Sequence, residues 1–373
     1  MKPNQMAWTF LLLFLLLCDA AVQLPAQPSE TYRKLFVEIK TKAEGGDAQA
    51  QSLLGMVYYS GDLGDLSVVK DRAEAVRWYR KAAEQNFAPA QCYLGDCYHN
   101  GQGVEKDDVE AVKWIRKAAE QNFAMAQYDL GKWYANGKGL PKDAMEAVKW
   151  YHKAAEQNDA SAQNELGDCF LNGEGVVKND VEAAKWYRKA AEQKLASAQF
   201  NLGVCYSKGE GVEKDEVEAM KWYQKAAEQN DALAQFNLGY NYFYGQGVKK
   251  DVVKAVEWYR KAAEQHFASA QYNLGYIYYN GKGVKKDAAE ALKWCRKAAE
   301  QGLGDAQNNL GLMYSKGDGT SKDYIEAYKW FNLALAQGNS EAKHTLPALE
   351  RRMTPEQVAE AQRLTREFKP RKE

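Results

Sequence analysis

Ser67-Val-Val-Lys70 and Ser340-Glu-Ala-Lys343 are two places where this sequence spaces a hydroxyl and an amine as a nucleophile and its base require. In Ser-x-x-Lys acyl-transfer enzymes the serine attacks a β-lactam carbonyl, supported by Ser-Asp-Asn and Lys-Thr-Gly elements. The chain contains neither element, so both matches read as coincidences of spacing. His99, His152, His266 and His344 stand far apart with no His-x-x-x-His spacing, which gives no zinc signature. Gly-x-Gly recurs, as at Gly101/Gly103 and Gly137/Gly139, but without a preceding strand or a third glycine it marks turns, not dinucleotide binding. The sequence therefore predicts no catalytic, cofactor-binding or metal-binding residues.

Six cysteines include Cys18 in an apolar leader, leaving five, an odd number that does not make a complete disulfide framework. Cys97, Cys169 and Cys205 occupy a position where copies elsewhere hold residues such as Val57, Trp133, Ile277 and Met313, and Cys295 follows Trp294 where most copies have Tyr. Cys92 and Cys97, five apart on one helix, point about 140° away from each other. All five are expected as buried free thiols, because unpaired cysteine packs as a small hydrophobe.

The elements behind these residues are copies of one unit. Leu-Gly recurs at Gly55, Gly95, Gly131, Gly167, Gly203, Gly239, Gly275 and Gly311, spaced by 36 after the first copy. Trp78, Trp114, Trp150, Trp186, Trp222, Trp258, Trp294 and Trp330 follow at 36 throughout. In one unit Ala198, Leu202, Gly203 and Tyr206 share a helical face, Gly209 and Gly211 end that helix, and Ala219, Trp222, Tyr223, Ala226 and Ala227 mark a second. Asp215/Glu218 has the spacing of a capping box, repeated at Asp71/Glu74, Asp107/Glu110, Asp143/Glu146, Asn179/Glu182, Asp287/Glu290 and Asp323/Glu326, and broken at Asp251/Lys254. Each unit is thus an αα-hairpin whose apolar faces need neighbouring copies to cover them. The extra residues Gly61 to Lys70 of the first copy belong in a loop, and Glu-x-x-Lys pairs such as Glu110/Lys113 and Glu218/Lys221 form a solvated face. Ser29 to Glu44 and a helix opened by Thr354-Pro-Glu-Gln357 cap the array, and Pro347 stands where the next Leu-Gly glycine would fall.

The 373 residues exceed what one core supports, 46% hydrophobic residues exclude a disordered chain, and 50 Lys plus Arg against 50 Asp plus Glu exclude a global grip on nucleic acid. Lys2 followed by the apolar run Trp8 to Cys18 and the small residues Ala20 and Ala21 has the form of a cleavable secretory signal, too short to span a membrane. A lipid anchor at Cys18 is disfavoured because Leu17 precedes it, where a small residue is normal. The organisation expected is a signal peptide over 1–21, a leader and capping helix over 22–46, eight repeats over 47–338 and capping helices over 339–373. The mature protein is expected to be secreted or periplasmic, with no transmembrane segment.

The motif Ala-x-Ala-Gln-x-x-Leu-Gly-x-x-Tyr, followed by Gly-x-Gly-Val-x-Lys-Asp-x-x-Glu-Ala-x-Lys-Trp-Tyr-x-Lys-Ala-Ala-Glu-Gln, resembles the Sel-one-like repeat (SLR) family, relatives of the tetratricopeptide repeats. The resemblance implies an all-α fold, a right-handed α-solenoid of eight 36-residue αα-hairpins with terminal capping helices, used as an adaptor or scaffold. Weak β-lactam hydrolysis is ascribed to some secreted members with two cysteines per repeat, a pattern this chain lacks. By the same resemblance, the variable positions of the first helix line a concave groove. There Phe200, Phe236, Tyr240, Phe243, Tyr244, Tyr272, Tyr276 and Tyr279 make the later copies unusually aromatic; such rings either recognise a partner or seal adjacent helices. Asn201, Asn237, Asn273 and Asn309 form a column of amides that binds a backbone or is merely solvated. The expected function is non-enzymatic binding of a protein or peptide, with an envelope glycan as a further ligand class and no nucleic acid. The rival readings are a hydrolase of β-lactam or peptidoglycan-like substrates and a structural scaffold of an envelope or secretory-pathway complex.

Overall fold

The computed structural model describes residues 28–371, so the signal-peptide reading falls outside the described residues. These residues form two compact units, one ending at Gln157 and one starting at Asn158. The first holds α1 (Pro28–Glu44) and the hairpins α2 (Ala48–Ser60) with α3 (Arg72–Glu84), α4 (Ala88–Asn100) with α5 (Asp108–Glu120), and α6 (Ala124–Asn136) with α7 (Ala144–Glu156). The second holds α8 (Ala160–Asn172) with α9 (Asp180–Glu192), α10 (Ala196–Lys208) with α11 (Glu216–Glu228), and α12 (Ala232–Tyr244) with α13 (Val252–Glu264). It continues with α14 (Ala268–Asn280) and α15 (Ala288–Glu300), α16 (Gly304–Lys316) and α17 (Tyr324–Ala336), then α18 (Ser340–Glu350) and α19 (Pro355–Glu367). The fold is an all-α repeat, as the period predicts. Within each unit the second helix of a copy also packs on the first helix of the next.

The Leu-Gly pair recurs because the two helices of a hairpin meet there. A Cβ added at Gly203 would stand 2.7 Å from Tyr223 Cδ1, and at Gly131 2.6 Å from Tyr151 Cδ1. The second glycine of the Gly-x-Gly turn has a different task. Gly211, at φ 72°, lies so close to the preceding hairpin that a Cβ would fall 1.8 Å from the Asp180 carbonyl oxygen.

Within each unit apolar clusters link each copy to its neighbour. Trp222 shares one with Ala183 and Tyr187 of the preceding copy and Leu202 of its own, while Tyr223 packs with Leu238 of the following copy. Arg80, Arg188 and Arg296 each donate to a tyrosine hydroxyl of the next hairpin, on Tyr98, Tyr206 and Tyr314, at 2.6, 2.6 and 2.5 Å. Lysine ammoniums three residues after the tryptophans lie over the indoles, as with Lys189 at 3.8 Å from Trp186 and Lys225 at 3.7 Å from Trp222.

Two local expectations are corrected. Residues Gly61 to Lys70 are not an irregular loop: Asp62–Leu63 and Leu66–Ser67 pair antiparallel, with Leu63 buried. Gly64, at φ 61°, turns this hairpin against the ring of Tyr32 on α1, where a Cβ would come within 2.3 Å of Cε1. The proposed capping boxes form only by half. Asp215 accepts from the amides of Val217 and Glu218, but the Glu218 carboxylate turns to Lys221 at 2.8 Å, because a cation one turn on attracts it more than a neutral amide does. Thr354 and Gln357 do make both bonds. Past the last repeat, α18 runs through Pro347 to Glu350 with Ala342, Leu346 and Leu349 buried.

A polar thread runs beside the apolar core. Gln51, Gln91, Gln127, Gln199, Gln235, Gln271 and Gln307 are buried, and each donates Nε2 to an alanine carbonyl eight residues earlier, at 3.0 to 3.3 Å. In the first seven copies the glutamine at the end of the second helix then donates to the buried one, as Gln229 to Gln199 at 2.8 Å and Gln265 to Gln235 at 2.8 Å, whereas Gln307 Oε1 of the eighth is buried without a partner. In those seven copies the buried glutamine amide is satisfied by repeating one arrangement.

Candidate functional site

The aromatic positions divide by their place around the helix. On α12, Leu233, Tyr240 and Tyr244 project to solvent at helical spacing, with Tyr240 37% and Tyr244 58% exposed and their ring centroids 4.5 Å apart. On α14, Tyr276 is the counterpart of Tyr240 and is also 37% exposed. Lys282 from the following turn donates to its hydroxyl at 2.6 Å and lies 4.6 Å from its ring centroid.

The other five rings are turned partly or wholly inward. Phe200 is half-buried against Tyr223 at 5.7 Å, and Phe236 lies between Tyr259 at 5.7 Å and Phe267 at 5.2 Å. Phe243 is buried, with its edge toward Tyr244 at 4.9 Å. Tyr272 is half-buried, and burial raises the pKa of its hydroxyl, which also bonds the Asn309 amide. Tyr279 donates to Asp318 Oδ2 at 2.6 Å, and that bond, helped by burial, pushes its hydroxyl up to about 12. Positions two before the leucine and four after the glycine face adjoining helices, which is why these rings seal. In the sixth and seventh copies the position one after the glycine, Tyr240 and Tyr276, faces outward.

The asparagine column does not act as one ladder. Asn201 donates to Asn164 Oδ1 at 3.1 Å, Asn237 to the Leu233 carbonyl at 2.9 Å, and Asn273 bonds the Tyr259 hydroxyl. Ser67 lies in the second strand of the small hairpin and Ser340 opens α18; both side chains are exposed. α12 and α14 contain no charged residue, so the outward tyrosines stand on an uncharged face.

Eight consecutive segments match the Sel1 repeat, at residues 48–87, 88–123, 124–159, 160–195, 196–231, 232–267, 268–303 and 304–339. The chain belongs to the Sel1 repeat family. A Sel1 repeat protein from Oxalobacter formigenes is 34% identical, covering 88% of this chain and 95% of its own, with a TM-score of 0.65. A protective antigen present in uropathogenic Escherichia coli strains, displaying an SLR fold, is 31% identical over 89% of this chain and 94% of its own, with a TM-score of 0.56. No curated protein sequence matches the chain.

The first Sel1 unit holds a side-chain cluster that sequence spacing does not reveal. Cys92 Sγ and carboxylate oxygens of Asp96 and Asp129 all lie within 4.8 Å of one another, with Cys92 and Asp129 buried. The same repeat positions two copies on hold Asn164, Asp168 and Asn201, which form an amide chain. Asn201 donates to Asn164 at 3.1 Å, Asn164 to Asp168 at 3.3 Å, and the Tyr187 hydroxyl to Asp168 at 2.6 Å. One thiol and two carboxylates are a donor set for a divalent cation. The expectation of no metal centre rests on histidine spacing, and this cluster, assembled from α4 and α6, falls outside it. Among the described residues no helix of this Sel1 chain is long and apolar enough to cross a membrane.

Proposed function

We propose that this Sel1 repeat chain is an exported, non-enzymatic scaffold that binds a polypeptide segment on the first-helix face of its second unit. The observation that carries the reading is the set Tyr240, Tyr244 and Tyr276, outward on the uncharged first helices of successive copies while their neighbours Phe236, Phe243 and Tyr272 pack inward. Exposed tyrosines in register supply rigid contact area with a polar tip, the property that makes them frequent hot spots. Export is supported by the charged start, apolar run and small residues of the first 21 positions. That a similar Sel1 protein of uropathogenic Escherichia coli is a protective antigen fits an exported chain.

The test passes an envelope or secretory fraction over immobilised mature protein and over the Tyr240→Ala/Tyr276→Ala variant. Partners retained by the wild type and lost by the variant are expected, with circular dichroism unchanged. The same partners recovered undiminished would overturn the assignment of this face. An envelope glycan retained in place of any protein would overturn the polypeptide.

A further inference from the structure

The turn between the two helices of each copy ends in a lysine just before the second helix, and its charge is answered differently along the chain. Lys106, Lys178 and Lys214 each face an acid at the first residue of that helix: Asp108 at 3.5 Å, Asp180 at 3.5 Å and Glu216 at 3.2 Å. The equivalent lysines of the sixth and seventh copies are Lys250 and Lys286, and there the helix opens with Val252 and Ala288 instead. The residue before the lysine changes too, from Glu105 and Glu213 in the second and fifth copies to Lys249 and Lys285. Lys254 replaces the glutamate of the first helical turn, and Lys282 lies on Tyr276.

These cations border the tyrosine face. Lys282 lies on the outward Tyr276, while Lys250 lies 5.7 Å from the Phe243 ring centroid and Lys286 5.5 Å from that of Tyr279, inward rings in the last turns of the helices that carry Tyr240 and Tyr276. Residues 232–303 hold eleven Lys and Arg against six Asp and Glu, a net charge of +5, whereas residues 88–159 hold nine against eleven, a net charge of −2. Here the lysines stand without that acid, as they also do at Lys142 and Lys322, and the first helices of both copies carry no charge.

We propose that the sixth and seventh copies bind a short, extended, acidic peptide, its apolar or aromatic side chains on Tyr240, Tyr244 and Tyr276 and its carboxylates at Lys249, Lys250, Lys282, Lys285 and Lys286. This rests on the reading of the tyrosine face as a binding surface and gives the chemistry of its ligand. Packed helices lie about 8 to 10 Å apart and an extended chain advances about 3.3 Å per residue, so two copies match about six residues. A long polyanion fits less well. The flanking copies are less basic, with Glu210, Asp305 and Asp318 among their acids, so a long polyanion would gain less beyond these two copies.

The probe is a short fluorescein-labelled peptide alternating Glu with Leu, compared with its Gln-for-Glu counterpart, read by anisotropy on the folded full mature chain. Binding of the acidic peptide is expected to weaken when salt rises from about 50 to about 200 mM. It should weaken at least about tenfold in Lys250→Ala/Lys286→Ala. Lys106→Ala, which removes a lysine already answered by Asp108, should leave it unchanged. If both peptides bind equally, ignore the lysine changes and yet are lost with Tyr240→Ala/Tyr276→Ala, the tyrosine face stands and the acidic ligand is refuted. If neither peptide binds and the tyrosine variant keeps every natural partner, the binding face itself is refuted. Tighter binding of oligo-dT or heparin than of the acidic peptide would also overturn the proposal.

Discussion

Gln301 donates its side-chain Nε2 to Oε1 of Gln271 at 2.9 Å, and Gln271 donates in turn to the Ala263 carbonyl at 3.0 Å. One buried amide thus joins the end of the sixth copy to the end of the seventh. Gln271→Leu keeps the approximate volume but leaves a carbonyl and an amide without their partner. A loss of about 1 to 3 kcal/mol is expected, measured by the urea midpoint at constant m-value. Gln301→Ala, nearer the surface, should cost less than Gln271→Leu; equal costs would mean that the bond to Ala263 contributes nothing.

The turn back to each following copy uses a residue in the left-handed region, and the chain fills it unevenly. Asn86, Asn122, Asn158 and Asn230 take it at φ 62° to 68°, and each also accepts from the buried glutamine five residues on. Lys194 and His266 take the same conformation, both at φ 64°. Lys194→Asn removes part of a backbone cost of about 1 to 2 kcal/mol and supplies an acceptor for Gln199. It is expected to raise Tm by several degrees, more than Lys194→Gly, which relieves the backbone alone. A Tm equal to or below the wild type would mean that Lys194 is not strained.

The sequence made the hairpins legible because Leu202, Gly203 and Trp222 repeat for packing reasons, and packing between identical copies needs identical residues. It left the face unresolved for a geometric reason. Tyr240 and Phe243 are three residues apart on one helix, and only the rotation of that helix against its neighbours sends one outward and the other in. Asp215 and Glu218 spaced themselves as a reciprocal cap, but Lys221 competed for the glutamate and won. The polar thread escaped notice because its partners, such as Gln199 and Gln229, sit 30 residues apart and meet only once the hairpin closes. Cys92, Asp96 and Asp129 come from two copies and have no spacing to recognise.

The approach of α10 to α11 at Gly203 gives a sharp steric prediction. Gly203→Ala places a methyl 2.7 Å from two ring carbons of Tyr223, which is itself buried. Overpacking of this kind costs about 1 to 3 kcal/mol. Tyr223→Ala alone should cost about 3 to 5 kcal/mol through the cavity it opens. In the double variant the methyl enters space the ring has left, so the summed single costs should exceed the measured one. Additivity in that cycle would show that the ring is not what Gly203 avoids.

Burial pushes the thiols of Cys97, Cys169, Cys205 and Cys295 up to about 12. Cys92 is buried as well, and none of the five is in a disulfide. At pH 8 the thiolate fraction of such groups is on the order of one in ten thousand, and the thiolate is the reactive form. The folded protein should therefore be nearly inert to Ellman's reagent. In denaturant five thiols are expected if the leader through Ala21 has been removed and six if Cys18 remains, which makes the same titration a test of processing. Rapid reaction of a folded-state thiol on a peptide containing any of these five would contradict their burial.

Asp168 gives the pH dependence a definite sign. Burial raises its pKa above the ordinary carboxylate value of 3.8, and the hydrogen bond from the Tyr187 hydroxyl, which lowers it, offsets only part of that. The folded state then holds this proton more tightly than the unfolded chain, so the charged form opposes folding at neutral pH. The stability that protonation confers is present below the unfolded pKa and is lost as pH rises through the folded one. Asp168→Asn keeps an acceptor for Tyr187 and forfeits only the long 3.3 Å contact from Asn164. The variant is expected to be more stable than the wild type at pH 7, and the gap should close as pH is lowered toward about 4. Paired thermal melts across that range measure it, and a gap that stays constant with pH would show that the charge on Asp168 is not what opposes folding.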